Sequence, residues 1–170
     1  PSRRRRCAAS TPRSSARWTA ALVSIGSIAS QMLLKLEKRE DVLAIYGPEY
    51  MNGIRDQPSA LATYARFWLN EAKTNRESAL DALDLAARAK SLEAWDRPMI
   101  ARSFLDSGQP SKAEDVYGAG FLKTIQSDAE ALIRYASFWK SIERNLFSAL
   151  EAARRASQIA PDNGKAWGTL

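Results

Sequence analysis

The sequence predicts an all-α protein, an α-solenoid of antiparallel helix hairpins with about three repeats and the start of a fourth. Two segments of equal length, LATYARFW at 61–68 and LIRYASFW at 132–139, agree at five of eight positions. From residue 37 onward Ala, Leu, Glu, Lys and Arg are abundant, and no alternating apolar pattern competes. Helix breakers interrupt this stretch at 47–48, 57–58, 97–98, 108–110 and 160–163. Short helices at regular spacing are typical of helix pairs.

Residues 1–17 form a basic segment of Arg, Ser, Pro and Ala without an acidic residue. It has almost nothing to bury, so we expect it to be disordered in isolation. Its composition resembles an organellar transit peptide, and RCAAS at 6–10 resembles a chloroplast cleavage context, which favours a chloroplast over a mitochondrion. The alternatives are a solvated basic N-terminus and a membrane-facing basic arm. Without a transit peptide we expect a cytoplasmic protein.

Residues 18–57 form a helical N-terminal region with two parts. The run WTAALVSIGSIASQMLL at 18–34 has no charged residue. It fits a first solenoid helix, a signal-type apolar core that ends near Ala29, or a transmembrane helix, for which it is short because a bilayer needs roughly 20 apolar residues. Val42 and Tyr46 in the following segment predict the second helix of a degenerate repeat, which Gly47 and Pro48 end early.

The second helix of each repeat is marked by a serine followed by a small residue. SALDALDLAARA starts at 78, SKAEDVYGAGFL at 111 and SALEAARRASQIAPDN at 148, and we expect each serine to cap its helix. Their alanines at 79, 113 and 149 recur at intervals of about 35 residues, which is the length of one helix-pair repeat. The two similar segments at 61–68 and 132–139 are therefore two repeats apart. The predicted repeats cover 58–93, 94–128 and 129–163, with a partial repeat at 164–170.

In this pattern the segment 58–170 resembles the tetratricopeptide repeat family, with some half-a-tetratricopeptide character in YASFW. The resemblance implies small residues where the paired helices approach closely and aromatic residues one turn later. The implied repeat core consists of Leu61, Tyr64, Ala65, Trp68, Ala79, Ile100, Ala101, Phe104, Ala113, Tyr117, Leu132, Tyr135, Ala136, Trp139, Ala149, Ala153 and Pro161. Trp167 and Leu170 would open the fourth repeat.

The resemblance also implies a concave groove that binds a partner through the exposed face of each first helix. The implied groove residues are Thr63, Arg66, Trp95, Met99, Arg102, Arg134 and Ser137. Three arginines in one groove favour an acidic or extended peptide segment. The alternative is that these arginines are ordinary exposed residues that pair with neighbouring Asp and Glu.

The residue content argues against catalysis and against a metal site. The chain has no histidine, a single cysteine at position 7 and no Gly-rich phosphate loop, so we expect no catalytic residue, metal or cofactor. The favoured function is a non-enzymatic scaffold or assembly factor that binds another protein within a larger complex.

Two alternatives use the N-terminal region. Residues 1–36 contain seven basic and no acidic residues, which leaves 18 basic and 19 acidic residues in 37–170. The first alternative is therefore an RNA-binding or RNA-processing protein that uses a basic N-terminal arm. The second is a subunit anchored to a membrane through residues 18–36.

The C-terminal segment KAWGTL occupies only the beginning of a fourth repeat. We expect either a truncated chain or an array whose open end docks on another protein, because solenoids normally finish on a helix with a polar outer face. The face formed by Leu150, Ala153 and Ile159 should then remain partly uncovered.

Overall fold

The computed structural model describes residues 28–169, apart from the side chains of Arg39 and Glu71. Helices and connecting turns make up this part of the chain, and it contains no strand, which confirms the all-α class. Between residues 28 and 169, no helix has the length and apolar character needed to cross a membrane. The basic segment 1–17 and residues 18–27 of the apolar run lie outside the described residues. The chain divides after Tyr50 into two compact units.

The described part of the first unit, residues 28–50, contains two helices and the start of a third. The described part of α1 covers residues 28–35, α2 is Arg39–Tyr46, and α3 is Pro48–Gly53. A Cβ atom on Gly47 would collide with the backbone carbonyl oxygen of Leu43, so the backbone approaches itself closely between α2 and α3. Val42 and Tyr46 are buried, and α2 ends before Gly47, as the sequence predicts.

The second unit consists of short helices that pack mainly against their neighbours in sequence. The helices are α4 (Pro58–Arg66) with a π-helical extension (Phe67–Glu71), α5 (Arg76–Arg88), α6 (Asp96–Asp106), α7 (Pro110–Tyr117), α8 (Ala119–Leu122), α9 (Ala129–Ile142), α10 (Leu146–Ile159) and α11 (Gly164–Gly168). The closest pairs are α4 with α5, α6 with α7, and α9 with α10. In addition, α6 packs on α4 and α5, and α11 packs on α9 and α10. Each predicted repeat range thus contains a helix pair.

The core of the second unit is built from the small and aromatic residues of these pairs. Every residue of the predicted repeat core is buried except Pro161, for which the prediction is wrong. Pro161 is exposed because α10 ends at Ile159 and the chain turns over residues 160–163. The carbonyl oxygen of Pro161 accepts a 2.8 Å hydrogen bond from the indole nitrogen of Trp167.

The second helices begin before the serines that the sequence analysis assigned as caps. Helix α5 begins at Arg76, α7 at Pro110 and α10 at Leu146, so Ser78, Ser111 and Ser148 lie inside their helices. Asn75 and Asn145 occupy the position before α5 and α10, with left-handed φ values of 51° and 47°. Asparagine tolerates this conformation better than most residues, and proline favours the first turn of a helix. These preferences explain the earlier starts.

The similarity between 61–68 and 132–139 extends far beyond these two segments. The rings of Tyr46 and Tyr50 lie 4.5 Å apart, and those of Tyr117 and Phe121 lie 5.0 Å apart at equivalent positions. Gly118 is equivalent to Gly47, and a Cβ atom there would likewise collide with a backbone carbonyl oxygen one turn earlier, that of Glu114. Residues 28–88 and 99–158 are therefore two copies of one segment, which we call the first copy and the second copy.

One extra residue in the first copy explains the π-helical extension after α4. Seven positions separate Trp68 from Asn75, whereas six separate Trp139 from Asn145. A π-helical turn accommodates a single added residue without breaking the helix. After it, Asn75 of the first copy corresponds to Asn145 of the second. Both turns before the second helix carry two left-handed residues, at 73 and 75 and at 143 and 145.

Candidate partner-binding site

The residues that the resemblance assigned to a groove lie on three helices of the second unit. Thr63 and Arg66 are on α4, Trp95 immediately precedes α6, Met99 and Arg102 are on α6, and Arg134 and Ser137 are on α9. Thr63 and Met99 are half-buried, and the other five are exposed. Helices α4 and α6 pack together, and their starts meet where Ser59 contacts Asp96. Helix α9 makes its principal contacts with α10 and α11, so Arg134 and Ser137 belong to a separate part of the surface.

The three arginines differ in their electrostatic surroundings. The Nε atom of Arg102 lies 3.0 Å from Oδ1 of Asp106 one turn later, in an exposed pair of a kind that contributes little to stability. Among the side chains that the structure describes, Arg66 and Arg134 form no ion pair. Pairing with a neighbouring acid therefore accounts for Arg102, whereas Arg66 and Arg134 present their charges to solvent.

Trp95 is held at the surface by the buried carboxylate that follows it. The indole is 70% exposed, whereas Asp96 is buried at the first position of α6. Oδ1 of Asp96 accepts a hydrogen bond from the Ser59 hydroxyl at the start of α4, and Oδ2 accepts one from the backbone N–H of Glu93. These hydrogen bonds stabilise the buried carboxylate. Through the bond with Ser59, Asp96 joins the start of α6 to the start of α4. Sequence analysis missed this role.

The second helices are also joined across repeats by charged side chains. Nζ of Lys112 on α7 lies 2.7 and 2.8 Å from the two carboxylate oxygens of Asp84 on α5. Arg97 donates from a terminal guanidinium nitrogen to the carbonyl oxygen of Val116 at 2.9 Å, near the end of α7, where helix carbonyls lack intrahelical donors. Burial lowers the pKa of Arg97, which also lies 4.9 Å from the ring centre of Phe121.

A cleft of about 260 Å³ lies between α5, α6 and α7, and its lining includes Asp84, Arg97, Phe104, Lys112 and Asp115. The Asp84–Lys112 pair and the Arg97–Val116 bond already use charged groups of the cleft within the protein. We therefore assign the Asp84–Lys112 pair to the packing of the first repeat on the second, and the Arg97–Val116 bond to the pairing of α6 with α7 within the second repeat.

A further groove of about 320 Å³ runs along α10. Of its lining residues, only Leu150 belongs to a surface that the sequence predicted to be uncovered. Gln126, Phe147, Leu150, Arg154 and Arg155 are among its lining residues. Sequence analysis expected an uncovered face at Leu150, Ala153 and Ile159. Leu150 and Ile159 are partly exposed, but Ala153 is fully buried because it belongs to the face of α10 that packs on α9. Phe147 would have been found by comparing the two copies, because Glu77 occupies its position in the first copy.

Comparison of the chain with protein-family models, curated proteins and solved structures gives no match. Across residues 28–169 there is also no group of three or more His, Cys, Asp and Glu side chains placed to hold a metal ion.

Proposed function

We propose that this chain is a non-enzymatic protein-interaction module, a tetratricopeptide-like solenoid that serves as a scaffold or assembly factor. The packing of α6 on α4 and α5, and the equivalent packing of α11 on α9 and α10, support this architecture. Repeat proteins bury their core by stacking each helix pair on the next, which leaves one face of every pair available to a partner.

The observation that carries the proposal is the exposed indole of Trp95 at the anchored start of α6. Tryptophan and arginine are the residue types that contribute most to binding energy at protein interfaces. Arg66 lies on the adjacent helix α4 and forms no ion pair within the described part of the chain. A planar guanidinium binds a carboxylate through two parallel hydrogen bonds, so the partner segment should carry Asp or Glu. The ligand of this surface is therefore an extended acidic peptide segment.

The test is fluorescence anisotropy with labelled 12-residue peptides. Each peptide contains several proline residues, which keep its backbone extended. One peptide carries four Glu residues and one aromatic residue, and the control peptide carries Lys in place of Glu. The full chain should bind the acidic peptide selectively, and Trp95→Ala and Arg66→Ala should each weaken binding about tenfold, a loss near 1.4 kcal/mol. Arg144→Ala, at an exposed position in the turn before α10, is the matched control and should bind as the unmodified chain does.

Two results would overturn the proposal. Equal affinity for the acidic and basic peptides would show that the surface does not select carboxylates. Binding of a 15-nucleotide single-stranded RNA with a steep salt dependence, without any peptide binding, would favour the RNA-binding alternative, because phosphate contacts release counterions. Melting temperatures of all variants distinguish lost binding from lost folding.

A further inference from the structure

We propose that α10 carries a second docking surface, the α10 groove, which binds an acidic amphipathic helix of a partner protein. The α10 groove is formed by Gln126, Phe147, Leu150, Arg154 and Arg155. It lies on a second helix, whereas the surface of the proposed function lies on first helices, so the two sites are independent.

The N-terminal half of the α10 groove is apolar. Phe147 is 83% exposed, and Leu150 one turn later is 38% exposed. Residues three and seven positions apart lie on the same face of a helix, so Phe147, Leu150 and Arg154 form one continuous stripe. Leu146, next to this stripe, is also exposed. Neighbouring exposed apolar side chains bordered by polar residues mark interaction sites on soluble proteins.

The C-terminal half of the α10 groove is basic. Arg155 donates from Nε to the carbonyl oxygen of Gln126 at 3.3 Å, which holds its guanidinium at the edge of the groove with the terminal nitrogens still able to donate. Arg154 forms no ion pair within residues 28–169. Glu151 also lines the groove, so two cations face one anion. This charge complements a partner helix that carries carboxylates beside its apolar residues.

The first copy shows that the fold does not require this composition. Its equivalent residues are Glu77 for Phe147, Asp84 for Arg154 and Leu85 for Arg155. The buried alanines on the opposite face are the same in both copies, at 79, 82 and 86 and at 149, 152 and 156. The core is thus retained, and Leu80 matches Leu150, whereas three outer positions change from Glu, Asp and Leu to Phe and two Arg. This difference points to binding rather than folding as the reason for Phe147.

The duplication supplies variants that should preserve the fold. The probe is a fluorescein-labelled 16-residue helix with Leu at positions i, i+3, i+4 and i+7 and Glu on both flanks, and its control carries Lys instead of Glu. In fluorescence anisotropy the full chain should bind the Glu peptide and not the Lys peptide. Phe147→Glu and Arg154→Asp install the residues of the first copy and should each weaken binding at least tenfold. Glu77→Phe is the matched control and should leave the affinity unchanged. All three variants should have the melting temperature of the unmodified protein.

The remaining outcomes each contradict the proposal. Unchanged affinity in the folded Phe147→Glu variant, or equal binding of both peptides, means that no such helix is recognised. Dissociation of a wild-type dimer by Phe147→Glu in analytical ultracentrifugation means that a second copy of the chain covers the groove. In a Phe147→Cys variant, an intramolecular disulfide with Cys7, the only native cysteine, means that the chain's own N-terminal segment occupies it.

Discussion

The indole N–H of Trp139 donates a 2.8 Å hydrogen bond to the backbone carbonyl oxygen of Tyr117, and both side chains are buried. Tyr117 is the last residue of α7, where the carbonyl oxygen has no intrahelical donor. The ring of Tyr117 also packs against those of Tyr135 and Phe138, at 5.3 and 5.1 Å between ring centres. Trp139 therefore fills the core and joins α9 to the end of α7.

Trp139→Ala should be severely destabilising. Truncation of a buried aromatic side chain costs about 3–5 kcal/mol in the free energy of unfolding. Trp139→Phe should cost about 1–3 kcal/mol, because it leaves the buried Tyr117 carbonyl oxygen without a donor. Arg134→Ala, on the exposed face of the same helix, should change the free energy by less than about 0.5 kcal/mol. Urea unfolding measures all three, and comparable losses for Trp139→Ala and Arg134→Ala would mean that the assigned face of α9 is wrong.

Asp96→Ala should destabilise the packing of α6 on α4. The substitution removes the buried acceptor of the Ser59 hydroxyl and of the Glu93 backbone N–H, which should cost about 1–3 kcal/mol in the free energy of unfolding. Ser59→Ala removes one of the two donors and should cost less. Since Asp96 anchors the residue before it, Asp96→Ala should also weaken binding of the acidic 12-residue peptide through Trp95. A variant that unfolds and binds as the unmodified protein does would show that the Ser59–Asp96 contact is dispensable.

Gly118→Ala should destabilise the protein, whereas Gly120→Ala should not. A Cβ atom at position 118 would collide with the carbonyl oxygen of Glu114, so α7 and α8 would have to move apart. Such overpacking typically costs about 1–3 kcal/mol. A Cβ atom at position 120, in the same short helix α8, meets no atom within 4 Å. Melting temperatures of the two variants give the comparison, and equal values would show that the backbone between α7 and α8 adjusts freely.

Stability should fall above pH 10, in part because of Tyr117. Burial raises the pKa of its hydroxyl to about 12 from the usual 10.0, so the folded state favours the neutral form. Because the pKa of Tyr117 is higher in the folded state than in the unfolded state, the stability contributed by its neutral hydroxyl is complete below pH 10. This stability is lost as the pH rises through 12. Tyr117→Phe keeps the ring and the carbonyl oxygen and should lose less stability than the unmodified protein between pH 9 and pH 11. Urea midpoints at these two pH values measure the difference, and an identical fall in both proteins would contradict the assignment. Tyr50, whose pKa burial also raises to about 12, should still contribute to the fall in the variant.

The candidate surfaces could be predicted from the sequence only in part. The resemblance to the tetratricopeptide repeat family implied that Arg66, Trp95 and Arg134 lie outside the core, and these residues are exposed. The resemblance could not show that Arg102 pairs with Asp106 while Arg66 and Arg134 form no ion pair with any described side chain. A serine before an alanine-rich stretch also suggested helix starts at 78 and 148, whereas left-handed asparagines at 75 and 145 begin the helices earlier. Capping propensity describes the average preference of a residue type. In this protein the left-handed turns at Asn75 and Asn145 decided where α5 and α10 begin.

The sequence by itself determined the helical class, the succession of helix pairs and the small and aromatic residues that they bury. The helical class follows from the abundance of helix-forming residues, and the helix pairs follow from the recurrence of alanines at intervals of about 35 residues. The resemblance to the tetratricopeptide repeat family implied the buried small and aromatic residues. All of these signals are contained in the order of residues along the chain. The tertiary structure alone decided that Asp96 receives a hydrogen bond from Ser59, that Trp139 reaches the carbonyl oxygen of Tyr117, and that Phe147 faces solvent. These relationships depend on how helices distant in the sequence are placed against one another, because a hydrogen bond requires two atoms to meet within about 3 Å, and the period of a single helix contains no such information.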